Sequence, residues 1–178
     1  TGVQTCALPI WFSGAEIASR VDDTRVQMIE GLRAAMHRFV FDWHGSIERH
    51  EAIRMAAVGD FLEDFEAGKR DGRYQTAALP DLPFGDDTFD IALSSHFLFL
   101  YSDHFDTGQH VANISEMLRV AAEARIFPLL DLDGEPSRHV GPVRHLLADR
   151  GFDSDIQRVD YEFQKDGNRM LRVYRSGR

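Results

Sequence analysis

The chain has 178 residues, of which 20 are basic and 29 acidic, giving a net charge of −9 with 43% hydrophobic content. That length and apolar content suit one domain with a real core better than two, and an acid excess with no basic run longer than Lys69-Arg70 argues against a nucleic-acid partner, because phosphate binding wants a basic face. The lone cysteine, Cys6, excludes a disulfide framework and suits a reducing, cytoplasmic setting, and no apolar stretch approaches the roughly 20 residues that span a bilayer, so no membrane role is expected.

Residues 1–10, Thr-Gly-Val-Gln-Thr-Cys-Ala-Leu-Pro-Ile, read like a translated sequencing-library adapter with no start Met before it, and are expected to be a scar outside the fold. On that reading the natural product extends further at its amino end. Ser13-Gly14-Ala15-Glu16 is a capping box and predicts a helix to about His37, with Ile17, Val21, Met28, Ile29, Leu32 and Met36 at three- to four-residue spacing. A second helix is expected from Ile47 through Ala67, ended by the glycines at 68 and 72. This helical pair has three readings: a lid over a pocket, a dimer surface, or plain packing.

Arg73 to Ala77 predicts a short strand, and Leu79-Pro80-Asp81-Leu82-Pro83 an extended loop forced by its two prolines. Phe89 to Leu93 is an apolar run suited to a strand buried on both faces. Gln109 to Val120 has helical spacing, Ala124 to Leu130 reads as a further buried strand, Gly134 to Ser137 as a turn, and Val140 to Arg150 as a helix stopped by Gly151. Ser154 to Phe163 and Arg169 to Arg175 are expected to pair across the turn residues 165–168.

The chemistry concentrates just after the strand at Phe89. In open parallel sheets ligands bind at the carboxyl ends of strands, which is where Ser94, Ser95 and His96 fall. His96 is a candidate base or substrate holder, against a structural histidine bonded to backbone; Ser94 and Ser95 can bond a cofactor carboxylate or a substrate, against simple loop satisfaction. Tyr101 can close the site, against a buried aromatic bonded through its hydroxyl. His96, Asp103, His104, Asp106 and His110 lie close in sequence, but their spacing matches no tight metal pattern and no metal is expected. Asp131-Leu132-Asp133-Gly134 reads as a turn rather than a calcium loop, and no Gly-x-Ser-x-Gly elbow supports a hydrolase.

A loop ending Leu82-Pro83-Phe84, four residues, then Phe89-Asp90 and an apolar strand resembles the fourth-strand region of class I S-adenosylmethionine-dependent methyltransferases. Ser-His-Phe-Leu-Phe-Leu-Tyr-Ser at 95–102, Arg-Ile-Phe-Pro-Leu-Leu at 125–130 and Tyr-Glu-Phe-Gln at 161–164 are similar to one bacterial subfamily of these proteins. The resemblance, which covers about 12–173, implies an α/β fold with a Rossmann-like sheet of order 3-2-1-4-5-7-6, here lacking its first two strands and carrying a two-helix insertion. It implies a helical part over 11–72 and the carboxyl part of the sheet over 73–178.

It further implies S-adenosylmethionine as cofactor, with His96 catalytic, Ser94 and Ser95 on the cofactor, His96 and Tyr101 on the substrate, and backbone groups of Ala78 and Leu79 at the adenine. Ala78 stands where many relatives carry an acidic residue, which puts a side-chain contact there in doubt. No G-x-G-x-x-G occurs, and neither does the Asp/Asn-Pro-Pro-Tyr of many amino-group methyltransferases, so a small-molecule acceptor is favoured and this chain alone is expected to be inactive. With two central strands missing, each buried backbone group left unsatisfied costs about 1 to 3 kcal/mol, and instability is expected. A homodimer is compatible with this reading. The competing class is a non-catalytic methyltransferase-like binding module.

Overall fold

Local capping starts both long helices. In α1 (Gly14–Ala34) the Ser13 hydroxyl accepts from the Glu16 amide at 3.3 Å and the Glu16 carboxylate accepts from the Ser13 amide at 2.8 Å, so the predicted capping box is present. The helix stops at Ala34, short of His37, because the chain tightens into a 3₁₀ turn over Met36–Arg38. In α2 (Ile47–Arg70) Ser46 caps the Arg49 amide at 3.2 Å, and Gly72 at φ 71° ends the run three residues later than expected.

The computed structural model describes residues 4–5 and 12–177. These fall into two compact units, Thr1–Ala78 and Leu79–Arg178. In the first, α1 and α2 form an antiparallel hairpin: Arg33 pairs with Glu48 at the loop end, Arg25 with Glu51 one turn on, and Gly14 lies against Leu62 and Phe65 at the other end. Ile17, Ile29, Leu32, Ile47 and Phe65 are its buried apolar residues. The predicted strand at 73–77 shrinks to β2 (Tyr74–Gln75), which pairs in parallel with β1 (Gln4–Thr5). Apart from the backbone of Gln4–Thr5, the segment read as a scar lies outside the described residues.

The second unit is an α/β layer built from β3 (Phe89–Ser95), α3 (Thr107–Val120), β4 (Ala121–Phe127), α4 (Val140–Ala148), β5 (Phe152–Arg158) and β6 (Arg169–Arg175). The strand order is β3-β4-β6-β5; β3 and β4 are parallel, while β6 is antiparallel to both β4 and β5. Hence β3, β4 and β5 point the same way, and their carboxyl ends share one edge of the sheet.

Side chains alternate across the strands, and the register assigns each to a face. Ala92, Ala124, Val173 and Ser154 form one rung, and Ser94, Ile126, Leu171 and Ile156 the next, on the side where Val111, Ile114, Leu118, Val143 and Leu147 of α3 and α4 complete the core. The opposite side carries Ile91, Leu93, Glu123, Arg125, Arg172 and Asp155.

Several expectations shift here. Phe89 to Leu93 is not buried on both faces: β3 is an edge strand of this sheet, and Ile91 and Leu93 are 44% and 74% exposed. Ile91-Ala92-Leu93 is apolar throughout, yet only the side facing α3 is covered. The fourth strand starts at Ala121, directly after α3, and ends at Phe127, because Pro128 has no amide to extend the ladder. The strand expected over 154–163 runs instead over Phe152–Arg158. The Glu162 carboxylate accepts from the Asp166 amide and from Asn168 Nδ2, drawing 159–168 into a wide loop closed by the Val159 amide on the Asn168 carbonyl.

Candidate functional site

The carboxyl end of β3 gathers the polar tip. Ser94 faces the core and is 9% exposed, and its Oγ is buried without a hydrogen-bond partner among the described residues. A buried hydroxyl with no partner costs free energy. Ser95, on the other face, is exposed, and its Oγ lies 2.8 Å from His96 Nδ1.

His96 occupies the left-handed region at φ 54°, unusual for a residue with a Cβ and a form of strain that clusters at functional sites. Contacts with Phe127 hold it there. Its amide donates to the Phe127 carbonyl at the end of β4, at 2.6 Å, and its ring meets the Phe127 ring edge-on at 5.5 Å.

Tyr101 is 37% exposed, beside Phe97 and His104, and its hydroxyl makes no hydrogen bond among the described residues. The buried, hydroxyl-bonded alternative therefore does not hold. Leu79 packs against the core of the second unit, whereas Ala78 is exposed at the end of the first. The structure thus brings Ser94, Ser95 and His96 together on one strand end.

Three of the residues weighed as metal ligands, Asp103, Asp106 and His110, have other employment. Asp106 caps α3 by accepting from the Gln109 amide at 2.7 Å, and Asp103 pairs with Arg138 at 2.7 Å. His110 is fully buried, with Nδ1 at 2.7 Å from the Asp106 carbonyl and Nε2 at 3.1 Å from the Leu98 carbonyl, and burial pushes its pKa down. No group of three or more metal-binding side chains converges among the described residues.

Two arrangements were missed by sequence reasoning. The first is a clamp on the loop before β3: Arg119 donates to the carbonyls of Leu82 and Phe84 and pairs with Asp86 and Glu116, while the Glu116 carboxylate also accepts from the Leu82 amide. The Arg119 guanidinium, and after it the Leu82 amide, hold the Glu116 carboxyl below its usual range. The i,i+3 spacing of Glu116 and Arg119 on one helix was the available signal. The second is a buried polar knot behind the site. Ser102 Oγ lies 2.6 Å from Ser137 Oγ, and His139 Nδ1 meets the Thr107 hydroxyl at 2.8 Å while its Nε2 donates to the Ser102 carbonyl at 3.0 Å. Nothing in the local sequence pairs residues more than 30 positions apart.

Among known proteins, the chain is 33% identical over 137 residues to the uncharacterized protein MJ0045 of Methanocaldococcus jannaschii. That match takes in 76% of this chain and 59% of the archaeal protein, so the chain spans well under two thirds of that relative's length. No protein-family profile matches the chain, and no solved structure matches it. No helix among the described residues is long and apolar enough to cross a membrane.

Proposed function

We propose that this protein is an S-adenosylmethionine-dependent methyltransferase acting on a small-molecule acceptor, and that its second unit is the carboxyl half of a Rossmann-like methyltransferase sheet. One observation carries the reading. The order β3-β4-β6-β5, with an antiparallel β6 between β4 and β5, is compatible with the 4-5-7-6 portion of the order expected from the Leu82-Pro83-Phe84 resemblance. The chain contains no glycine-rich turn of the dinucleotide-binding kind. The buried, partnerless Oγ of Ser94 at the strand's carboxyl end fits a polar cofactor group, and Ser95 is exposed beside it.

When bound, S-adenosylmethionine supplies an electrophilic methyl group. The residues' own tasks are alignment and proton removal. His96, whose Nδ1 lies 2.8 Å from the Ser95 hydroxyl and whose ring packs edge-on against Phe127, is the base that takes the acceptor's proton. Tyr101 lies on the segment that follows and offers its hydroxyl to the acceptor. Leu79, and Ala78 before it, offer backbone groups toward the adenine. The exposed Ile91 and Leu93 favour a second reading, a methyltransferase-like binding module that uses this face for a partner.

Calorimetric titration of S-adenosylmethionine into this chain and into the full-length archaeal relative separates the two. Binding by either, weakened by Ser94→Ala, supports the methyltransferase; binding by neither refutes it and leaves the binding module.

A further inference from the structure

The sheet contains two places where arginines stand directly opposite each other on neighbouring strands, and they are treated differently. Arg125 of β4 faces Arg172 of β6. Between them sits Glu123, which accepts from Arg125 Nε at 2.5 Å and from Arg172 Nε at 2.7 Å, with Asp155 3.8 Å from Arg172 on the far side. Arg172 and Arg125 hold the Glu123 carboxyl below its usual range, so this pair is neutralised within the protein.

The other pair is Arg158, the last residue of β5, opposite Arg169, the first of β6. Among the described residues neither guanidinium makes an ion pair or hydrogen bond. Like charges directly opposite on adjacent strands destabilise a sheet, and among the described residues no carboxylate forms an ion pair with either one.

Arg158 and Arg169 line an open cleft of about 330 Å3 with Ile156, Asn168 and Asp166. Its position in the fold adds meaning. Since β3, β4 and β5 run the same way, Arg158 lies on the same edge of the sheet as Ser95 and His96. The pair also continues, one rung further out, the face that carries Ser94. With strands roughly 4.8 Å apart, Arg169 is two strands from β3, on the order of 10 Å, within the span of one small molecule.

We propose that Arg158 and Arg169 form a binding site for an oxyanion, a phosphate or carboxylate group carried by a small molecule whose other end reaches the Ser94-Ser95-His96 strand end. Two planar forks facing one cleft match the several acceptor oxygens of such a group, which a single ammonium does not. Asp166 sets a second requirement. Its carboxylate opposes an anion but accepts from a hydroxyl or ammonium, so the fitting ligand places a hydrogen-bond donor next to its oxyanion. As the acceptor of methyl transfer, that ligand rests on the function proposed above; the anion site itself does not.

The test is titration of inorganic phosphate, and separately of acetate, into the protein without S-adenosylmethionine, at constant ionic strength set with chloride, followed by amide and arginine Nε–H NMR. Saturable shifts confined to residues 156–169 are expected with phosphate, and with acetate if the site takes any carboxylate. Arg158→Gln and Arg169→Gln should each weaken phosphate binding by about tenfold or more, lysine at either position should lose less, and Asp166→Asn should tighten binding. In phosphate-free buffer Arg169→Gln should raise the melting temperature, because it removes the opposed charge, and this readout needs no ligand. Unchanged phosphate shifts in the Arg158→Gln/Arg169→Gln protein, or no saturable shift from either anion in the unsubstituted chain, would overturn the proposal. Because no cofactor is present, its failure is separate from failure of the methyltransferase reading.

Discussion

The two units are stabilised by opposite strategies. In the second, Leu98, Phe99, Ile114, Leu118, Ile126, Val143, Leu147, Leu171 and Val173 are wholly buried, and they come from segments up to 75 positions apart in sequence. In the first, two long helices bury only a handful of apolar residues and rely on caps, inter-helix ion pairs and the Asp64-Arg73-Tyr74 cluster at the end of α2. Non-local burial makes a unit sensitive to cavities. Local polar support makes it sensitive to the loss of single caps and ion pairs instead.

The largest effect expected of that difference is in the second unit. Leu118, on α3 and fully buried, contributes to the core against the sheet, and Leu118→Ala should cost about 2 to 5 kcal/mol by lost transfer and cavity formation. Hydrogen exchange should show the loss in β3 to β6 and leave α1 and α2 unaltered; equal loss in both would abolish the distinction.

Acid should weaken the first unit through one buried histidine. His50 is 4% exposed, with His44 edge-on at 4.6 Å, and burial, with His44 and Arg54 adding, pushes its pKa down from 6.5 to about 4. Between pH 6.5 and 4 the unfolded chain therefore binds more protons than the folded one. Stability is full above pH 6.5 and declines as pH falls toward 4, by on the order of 2 to 3 kcal/mol. Asp64 adds a second step, since its hydrogen bonds from Arg73 and Tyr74 lower its pKa to about 2 and its contribution fades only below the ordinary carboxylate range. His50→Phe should flatten the loss between pH 6.5 and 4 in exchange-monitored melts of α1 and α2. A slope that persists would assign the acid sensitivity elsewhere.

A smaller effect separates packing from positioning within the second unit. Arg119→Gln removes the donors that hold the Leu82 and Phe84 carbonyls and frees Glu116, a smaller loss than the Leu118 cavity. The loop over 79–86 should lose exchange protection while the core around Leu171 keeps it. Uniform loss would mean that the clamp is part of the core rather than a support for the loop.

What the sequence made legible follows the same division. Helix starts were readable because a cap is a matter of three neighbouring residues: Ser13 with Glu16, and the polar tip after Phe89 likewise needed only local reading. The exposure of Leu93 was not readable, because an apolar run is the same string whether a neighbour covers it or not. Nor was the wide loop at 159–168, where turn residues at 165–168 suggested a tight hairpin; the Glu162 carboxylate, bonding Asp166 and Asn168, decided otherwise. Arg158 facing Arg169 requires the register of two strands, which no single stretch of sequence contains.

The smallest predicted effect examines the local strategy alone. Ser13 and Glu16 satisfy each other's backbone amides at the start of α1, donors that a helix leaves unpaired in its first turn. Ser13→Ala removes one acceptor, and the expected loss is about 1 kcal/mol, within the range for such caps. Because the first unit has little buried area to compensate, that loss should appear as fraying from Gly14 toward Ile17, which is the first buried residue of the helix, and then as a lower melting point for the helical pair. Glu16→Gln keeps an oxygen for the Ser13 amide but not the charge at the positive helix end, so it should cost a fraction of that. If Ser13→Ala instead leaves α1 exchange unchanged, burial of Ile17, Ile29 and Leu32 suffices to hold the helix, and the first unit is stabilised in the same way as the second.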